Sequence, residues 1–275
     1  MDAVILLVLL LVSILIGAIG SLLGIGGGVF LIPIMTLGLG IDIKVAAATS
    51  LVTIIVTSSS SAPRYLREGL VNVKLGMFLE IFTVTGAIIG AFLVSYLNAN
   101  IVEGIFALVM IYAAYYMQIR MKDVSSIPDQ VPPSRFNGRY RDEGSGELRQ
   151  YGVKNMHRGA AAGFVAGNLS GLIGVGGGIV KVPAMHIWMG VPMKAAAATS
   201  NFMIGVTAVA SALVYLANGL VAPVITASAA IGIFIGATMG SRMMGKITGR
   251  GLRTIFSVIL IAISVIMFLR AGGIF

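Results

Sequence analysis

The chain has 275 residues, of which 57% are hydrophobic and only 11% charged, and its mean hydropathy is +0.99. A water-soluble globule of this length could not hide so much apolar surface, so the composition marks an integral membrane protein. The formal net charge is +9 and there is no cysteine, which removes disulfides, thiolate metal sites and cysteine nucleophiles.

In chain order, the apolar runs that can cross a hydrocarbon core of about 30 Å are Ala3–Leu23, Val45–Ala62, Leu75–Leu97, Ile101–Ile119, Gly159–Ile173, Ala195–Ala217, Val221–Ser241 and Thr254–Leu269. Val29–Leu39 and Ile179–Met189 are apolar but short. All are apolar on every side, which excludes a barrel of alternating strands. The first run has Asp2 where a signal peptide carries a basic region, and it is read as a retained span. The one long polar stretch, roughly 121–155, holds Pro128, Pro132 and Pro133 and reads as a linker. Within it, residues 139–151 could close a small hairpin around Gly144-Ser145-Gly146, although a disordered, solvated linker is the preferred reading.

The chain is written twice at an offset of 150 residues. Gly24-Ile25-Gly26-Gly27-Gly28 returns as Gly174-Val175-Gly176-Gly177-Gly178, Pro33 as Pro183, and Ala46-Ala47-Ala48-Thr49-Ser50 as Ala196-Ala197-Ala198-Thr199-Ser200. Downstream, Tyr65-Leu66 matches Tyr215-Leu216, and Gly86 and Gly90 match Gly236 and Gly240. A duplicated hydrophobic unit interrupted at corresponding places points to a secondary transporter. The expected organisation is a first membrane repeat over 1–120, a cytoplasmic linker over 121–156 and a second repeat over 157–275.

Basic residues cluster at Arg64, Arg67 and Lys74, in the linker, and at Arg242, Lys246, Arg250 and Arg253, while the loops around Asn98 and Asn218 carry none. The positive-inside rule puts the three basic clusters in the cytoplasm. At the repeat offset, basic loops then exchange with uncharged ones, so the repeats are expected to be inverted, with both termini on the non-cytoplasmic face. Each repeat crosses five times if its short segment spans, or three times if that segment is a re-entrant arm. The expected fold is an all-α polytopic membrane protein of two inverted-topology repeats, with broken or short helices at the glycine motifs.

Three consecutive glycines weaken helix propagation by about 1 kcal/mol each relative to Ala. Each run is therefore expected to be a break followed by a new helix N-terminus, whose bare amides and positive dipole end suit an anion. Gly26, Gly27, Gly28, Gly176, Gly177 and Gly178 are the candidates. Glycines at four-residue spacing, such as Gly86/Gly90 and Gly232/Gly236/Gly240, read instead as close-packing positions. On that reading Gly86→Ala should be milder than Gly27→Val or Gly177→Val. Thr49, Ser50, Thr199 and Ser200 are candidate hydroxyl donors to a shared cavity, with backbone bonding the competing role. Asn201, at the place of Leu51, breaks the symmetry and could orient a ligand. Lys181, at the place of Leu31, could add positive potential for an anion or snorkel to a headgroup. Glu80 could reach the cytoplasmic surface, and His186 beside Trp188 could be interfacial or a proton-coupling group.

The paired glycine runs followed by Pro33 or Pro183, with an Ala-Ala-Ala-Thr-Ser stretch about twenty residues after each, resemble the sulfite exporter TauE/SafE family, also called the four-toluene-sulfonate uptake permeases. The resemblance implies movement of small sulfur-containing anions such as sulfite, sulfoacetate or other organosulfonates across the cytoplasmic membrane, coupled to an ion gradient carried by protons or sodium. No cofactor, no nucleic-acid partner and no enzymatic activity are expected, the basic residues being accounted for by their clustering in loops. The alternatives are an anion channel and a non-transporting membrane interaction protein. A membrane enzyme finds almost no support, since the chain holds two histidines and no cysteine.

Overall fold

In a computed structural model, residues 3–23, 26–118, 135–141, 148–243 and 250–273 are described. Among them ten helices form in two runs of five: α1 (Ala3–Leu23), α2 (Gly28–Pro33), α3 (Ile43–Arg67), α4 (Val73–Val94) and α5 (Ala99–Gln118), then α6 (Met156–Ile173), α7 (Gly178–Pro183), α8 (Met193–Ala217), α9 (Pro223–Met243) and α10 (Arg250–Ala271). The bounds of α2 and α3 return in α7 and α8 at the offset read from the sequence. Local chemistry sets several ends. Asp42 accepts from the Lys44 amide at 2.8 Å to start α3, and Asn72 accepts from the Leu75 amide at 3.1 Å to start α4.

Each short helix ends at a proline and continues as a five-residue π-helical turn, Ile34–Gly38 after α2 and Ala184–Trp188 after α7. Proline has no N–H to give the α-helical ladder, and the widened turn takes up the change. Gly28–Gly38 rises about 16 Å at 1.5 Å per residue, roughly half of a hydrocarbon core. The short segments are thus half-length helices.

Windows in five described helices are long and apolar enough to cross a membrane: Val4–Ser21, Ile43–Arg67, Val73–Val94, Met193–Ala217 and Pro223–Arg242. α6, expected as a full span, spends its buried face on Gly159, Gly163, Ala166, Gly167, Ser170 and Gly171, small residues that allow close approach. Exposed Val4, Leu7, Leu11, Met77, Ile81, Ile231 and Phe234 cover the outside of α1, α4 and α9 with the apolar surface a bilayer requires. The chain is an all-α, multi-pass membrane protein.

Packing between the two runs is reciprocal. α1 lies on α9 and α6 on α4, α5 pairs with α10, α3 with α8, and the remaining large contacts are α4 with α8 and α3 with α9. Such exchange is what a two-fold relation between repeats produces. Glycines set the distance. A Cβ on Gly86 or Gly90 would collide with the carbonyl oxygen of Phe164 or Asn168, and one on Gly236 or Gly240 with that of Ile14 or Ala18. From the other side, Gly167 and Gly171 would meet the oxygens of Thr83 and Ala87. These are packing glycines, as their spacing suggests. Gly86→Ala is nonetheless not mild, because the obstacle is rigid backbone.

The linker departs from the solvated, disordered reading. Strands β1 (Gly138–Arg141) and β2 (Leu148–Tyr151) pair antiparallel with Gly138 opposite Tyr151; residues 119–134 and 142–147 lie outside the described part. The hairpin forms because it has an apolar side to bury. Tyr151, Phe136 and Tyr140 join a cluster with Leu75, Leu79, Val182, Met185 and Met189, and the Phe136 ring lies 5.2 Å from that of Phe78. Asn72 Nδ2 donates to Phe136 O at 2.8 Å, and the Lys154 amide to Met189 O at 3.0 Å. Burial pushes the Tyr151 phenol up to about 12, so it stays neutral under physiological conditions. Tyr151→Ala is expected to release the hairpin, so that trypsin cleaves at Arg139 and Arg149 severalfold faster than in the wild type.

Candidate functional site

Two breaks in the chain build the site. Gly26 and Gly27 have φ of 79°, Gly176 81° and Gly177 67°, a left-handed conformation that side-chain-bearing residues rarely adopt. Gly24 and Ile25 lie outside the described residues. Gly27 and Gly177 cap α2 and α7, and in each the amides of residues 30 and 31, or 180 and 181, turn back onto the cap carbonyl. The two amides ahead of these, at Gly28 and Val29 and at Gly178 and Ile179, precede the first intrahelical bond of their helix.

The breaks converge on one point. A Cβ on Gly26 would stand 3.1 Å from the side chains of both Ile54 and Ile204, and one on Gly176 would stand 3.0 Å from Ile54. A Cβ on Gly28 would run into Ser50 Oγ and lie 2.8 Å from Gly174 O. Ile54 stands one residue from the midpoint of the 25-residue α3, and Ile204 holds the corresponding place in α8. The site therefore sits at mid-length of two long helices, and the two isoleucine side chains, both fully buried, fill the space between the breaks.

Ser50 joins the cluster directly, its Oγ donating to Gly174 O at 2.6 Å across the two repeats. Ser200 is fully buried at the corresponding place on α8. Thr49 and Thr199 are not brought to the breaks: Thr49 Oγ1 pairs with Thr226 Oγ1 at 3.1 Å, and Thr199 Oγ1 accepts from the Asn72 amide at 3.0 Å. Asn201 Nδ2 donates to Ser21 O at 3.0 Å near the end of α1, its own carbonyl accepts from Ser58 Oγ at 2.6 Å, and its Oδ1 is buried without a protein partner.

Lys181 is buried to 2% exposure and does not snorkel. Its Nζ donates to Thr207 Oγ1 at 3.2 Å; Thr207 Oγ1 donates to Glu80 Oε1 at 2.6 Å, and Thr83 Oγ1 to Glu80 Oε2 at 2.9 Å. Glu80 thus turns to α8, away from the surface expected for it. His186 is buried, with Nδ1 2.9 Å from Val191 O, and ties down the loop after the π turn.

The sequence reading missed three groups. Ile54 and Ile204 carry no signal beyond apolarity. Thr207 stands in a hydroxyl row with Ser211, a spacing that the sequence does show. Arg270 lies 3.5 Å from Glu103 and donates to Thr36 O at 2.8 Å, anchoring α10 to the first π turn.

The profile of the sulfite exporter TauE/SafE family matches residues 9–267. The chain belongs to that family. It is 30% identical over 270 residues to the probable membrane transporter protein YunE of Bacillus subtilis, covering 96% of each chain. It is 28% identical over 278 residues to a probable membrane transporter protein of Methanocaldococcus jannaschii, covering 95% of this chain and 94% of the relative. A further Bacillus subtilis relative, the probable membrane transporter protein YdhB, is 26% identical over 236 residues, covering 86% of this chain and 89% of its own. No solved structure matches the chain. The matched TauE/SafE region takes in both glycine breaks, Ile54, Ile204 and the Lys181–Thr207–Glu80 chain, and the protein is a membrane transporter.

Proposed function

We infer that this TauE/SafE protein is a secondary transporter that moves small sulfur-containing anions, such as sulfite, sulfoacetate or other organosulfonates, across the cytoplasmic membrane by alternating access. The observation that carries the reading is the meeting of two half-helix N-termini at mid-length of α3 and α8. Amides of Gly26–Gly28 and Gly176–Gly178 would hold anionic oxygens, since helix N-termini present donors and positive potential together. Ser50 stands beside them and Ser200 at the corresponding place on α8, Asn201 adds an asymmetric amide, and Lys181 supplies charge. Thr49 and Thr199 join only if the helices around them move. The isoleucine-filled space between the breaks is the arrangement of an occluded carrier, and it favours that reading over an open channel.

We read the repeats as inverted, with the hairpin cytoplasmic and the termini outside. Support comes from two directions. The reciprocal helix pairing is that of two-fold-related repeats, and the basic α3–α4 connection, placed in the cytoplasm by its charge, binds the linker segment through Asn72 and Phe136. Single cysteines at exposed Asn98 and Asn218 should be labelled from outside the cell by an impermeant reagent, and one at Gly144 only after permeabilisation; equal labelling of Asn98 and Gly144 in intact cells would reject the topology. The substrate class is tested by thermal shift of detergent-solubilised protein against sulfite, sulfate, thiosulfate and organosulfonates, because a ligand of the folded state raises its apparent stability. No shift with any of them, and no counterflow in liposomes, would reject the function.

A further inference from the structure

The geometry points to a proton-binding site at Glu80, Thr207 and Lys181 that couples proton uptake to anion binding in this carrier. The inference rests on the transport reading above, and deepens it by naming the coupling ion and its residues. Glu80 lies on the face of α4 that meets α8, between Gly76, which faces Thr199 and Met203, and Ala87, whose carbonyl meets Ser211. One hydroxyl joins the two charges: Lys181 Nζ–H reaches Thr207 Oγ1 at 3.2 Å, and the Thr207 proton reaches Glu80 Oε1 at 2.6 Å.

The fold does not require this chain of groups. At the place related by the 150-residue offset, Lys181, Thr83 and Glu80 are replaced by Leu31 in the first repeat and by Ile233 and Ala230 in the second, and Leu31 is fully buried. Thr57, at the place of Thr207, bonds back to Thr53 O at 2.9 Å. The same packing is thus achieved with apolar groups, which a membrane interior accepts at far lower cost than an ammonium and a carboxylate. Ionisable groups kept at such a place mark ion pathways.

Charge accounting gives the role. With Glu80 ionised and Lys181 protonated the site is neutral. One proton taken from water by the carboxylate of Glu80, a partly exposed residue, makes a carboxylic acid and leaves the site at one positive charge, with no other bond changed. That charge lies on Lys181 Nζ at Thr207, about one turn along α8 from Ile204, whose side chain meets the first break. The Lys181 backbone amide belongs to the second break, donating to Gly177 O at 3.0 Å. Proton and anion therefore favour each other's binding.

The other titratable and charged groups on the surrounding elements stand at helix ends or are otherwise engaged. His157 and Arg158 are exposed at the start of α6, Lys74 is exposed at the start of α4, and Lys194 opens α8. His186 faces Val191 O, and the Tyr140 and Tyr151 phenols belong to the hairpin cluster. Through Thr207, Lys181 faces Glu80.

Infrared difference spectra of purified protein between acidic and mildly alkaline buffer should show a protonated-carboxyl band that is lost in Glu80→Gln and shifted in Thr207→Val. Wild-type affinity for sulfate and methanesulfonate, neither of which titrates in this range, should be roughly tenfold tighter in the acidic buffer, an ordinary linkage effect. Glu80→Gln, which fixes the uncharged form, should bind with the acidic affinity in both buffers. A band absent in wild type, or one that persists in Glu80→Gln, overturns the proton site. Full pH dependence retained in Glu80→Gln overturns the coupling. If no anion binds wild type while the Glu80 band titrates, the anion reading fails and the proton site stands.

Discussion

Gly86→Ala and Gly236→Ala are each expected to lower folded stability by roughly 1–3 kcal/mol, the usual cost of overpacking. The effect follows from position, since a single methyl at either site meets a main-chain carbonyl, of Phe164 or of Ile14, on the helix packed opposite. Neither helix can yield locally, because α4 and α6, like α1 and α9, are held together along a row of such glycines. Gly38→Ala, where a Cβ meets nothing within 4 Å, is the matched control. Thermal unfolding in detergent measures all three. The two packing variants should melt lower by similar amounts, and the double variant lower still, since the two sites meet different helices and share no partner. A Gly86→Ala protein as stable as Gly38→Ala would show that the helix contact is looser than described.

Ile54→Ala and Ile204→Ala are expected to convert a gated carrier into a leak. Both side chains stand between the glycine breaks, and removing three carbons from each empties the space that separates one half-helix from the other. In protein cores such a change costs roughly 2–5 kcal/mol, whereas Ile→Val costs roughly 0.5–1.5. Ile54→Val should therefore transport nearly as wild type. The double Ala variant in liposomes should show anion flux that no longer saturates, where the wild type shows saturable counterflow. Saturable counterflow that survives unchanged would place the barrier elsewhere. This is a cleaner test than Gly27→Val or Gly177→Val, because φ is 79° and 67° at those positions and a branched side chain would strain the backbone whatever it did to an anion.

Much of the architecture was legible because it depends on short-range rules. Apolar run length gives helices, glycine runs and prolines give their interruptions, and the 150-residue repeat carries each bound of α2 and α3 to α7 and α8. Four-residue glycine spacing likewise announces close helix contact. The hairpin was harder: its strands are short and polar in sequence, and they are held by the surface on which Phe136, Tyr140 and Tyr151 land.

The candidate site divides in the same way. Gly26–Gly28 and Gly176–Gly178 stand out in the sequence because left-handed backbone needs glycine. Where their neighbours point does not stand out. Ser50 and Thr49 are adjacent in the chain, yet successive side chains on a helix differ by about 100°, so one meets Gly174 and the other Thr226. Lys181 lies three residues past a glycine break, but its reach is decided by Thr207 and Glu80, which come from helices on either side of it in the chain. By itself the sequence determined a membrane protein of duplicated helices with paired breaks, because composition, periodicity and backbone preference are local properties. Only the tertiary structure decided that the breaks meet at Ile54 and Ile204 and that the buried lysine faces a carboxylate, because both depend on which helices of one repeat pack against those of the other.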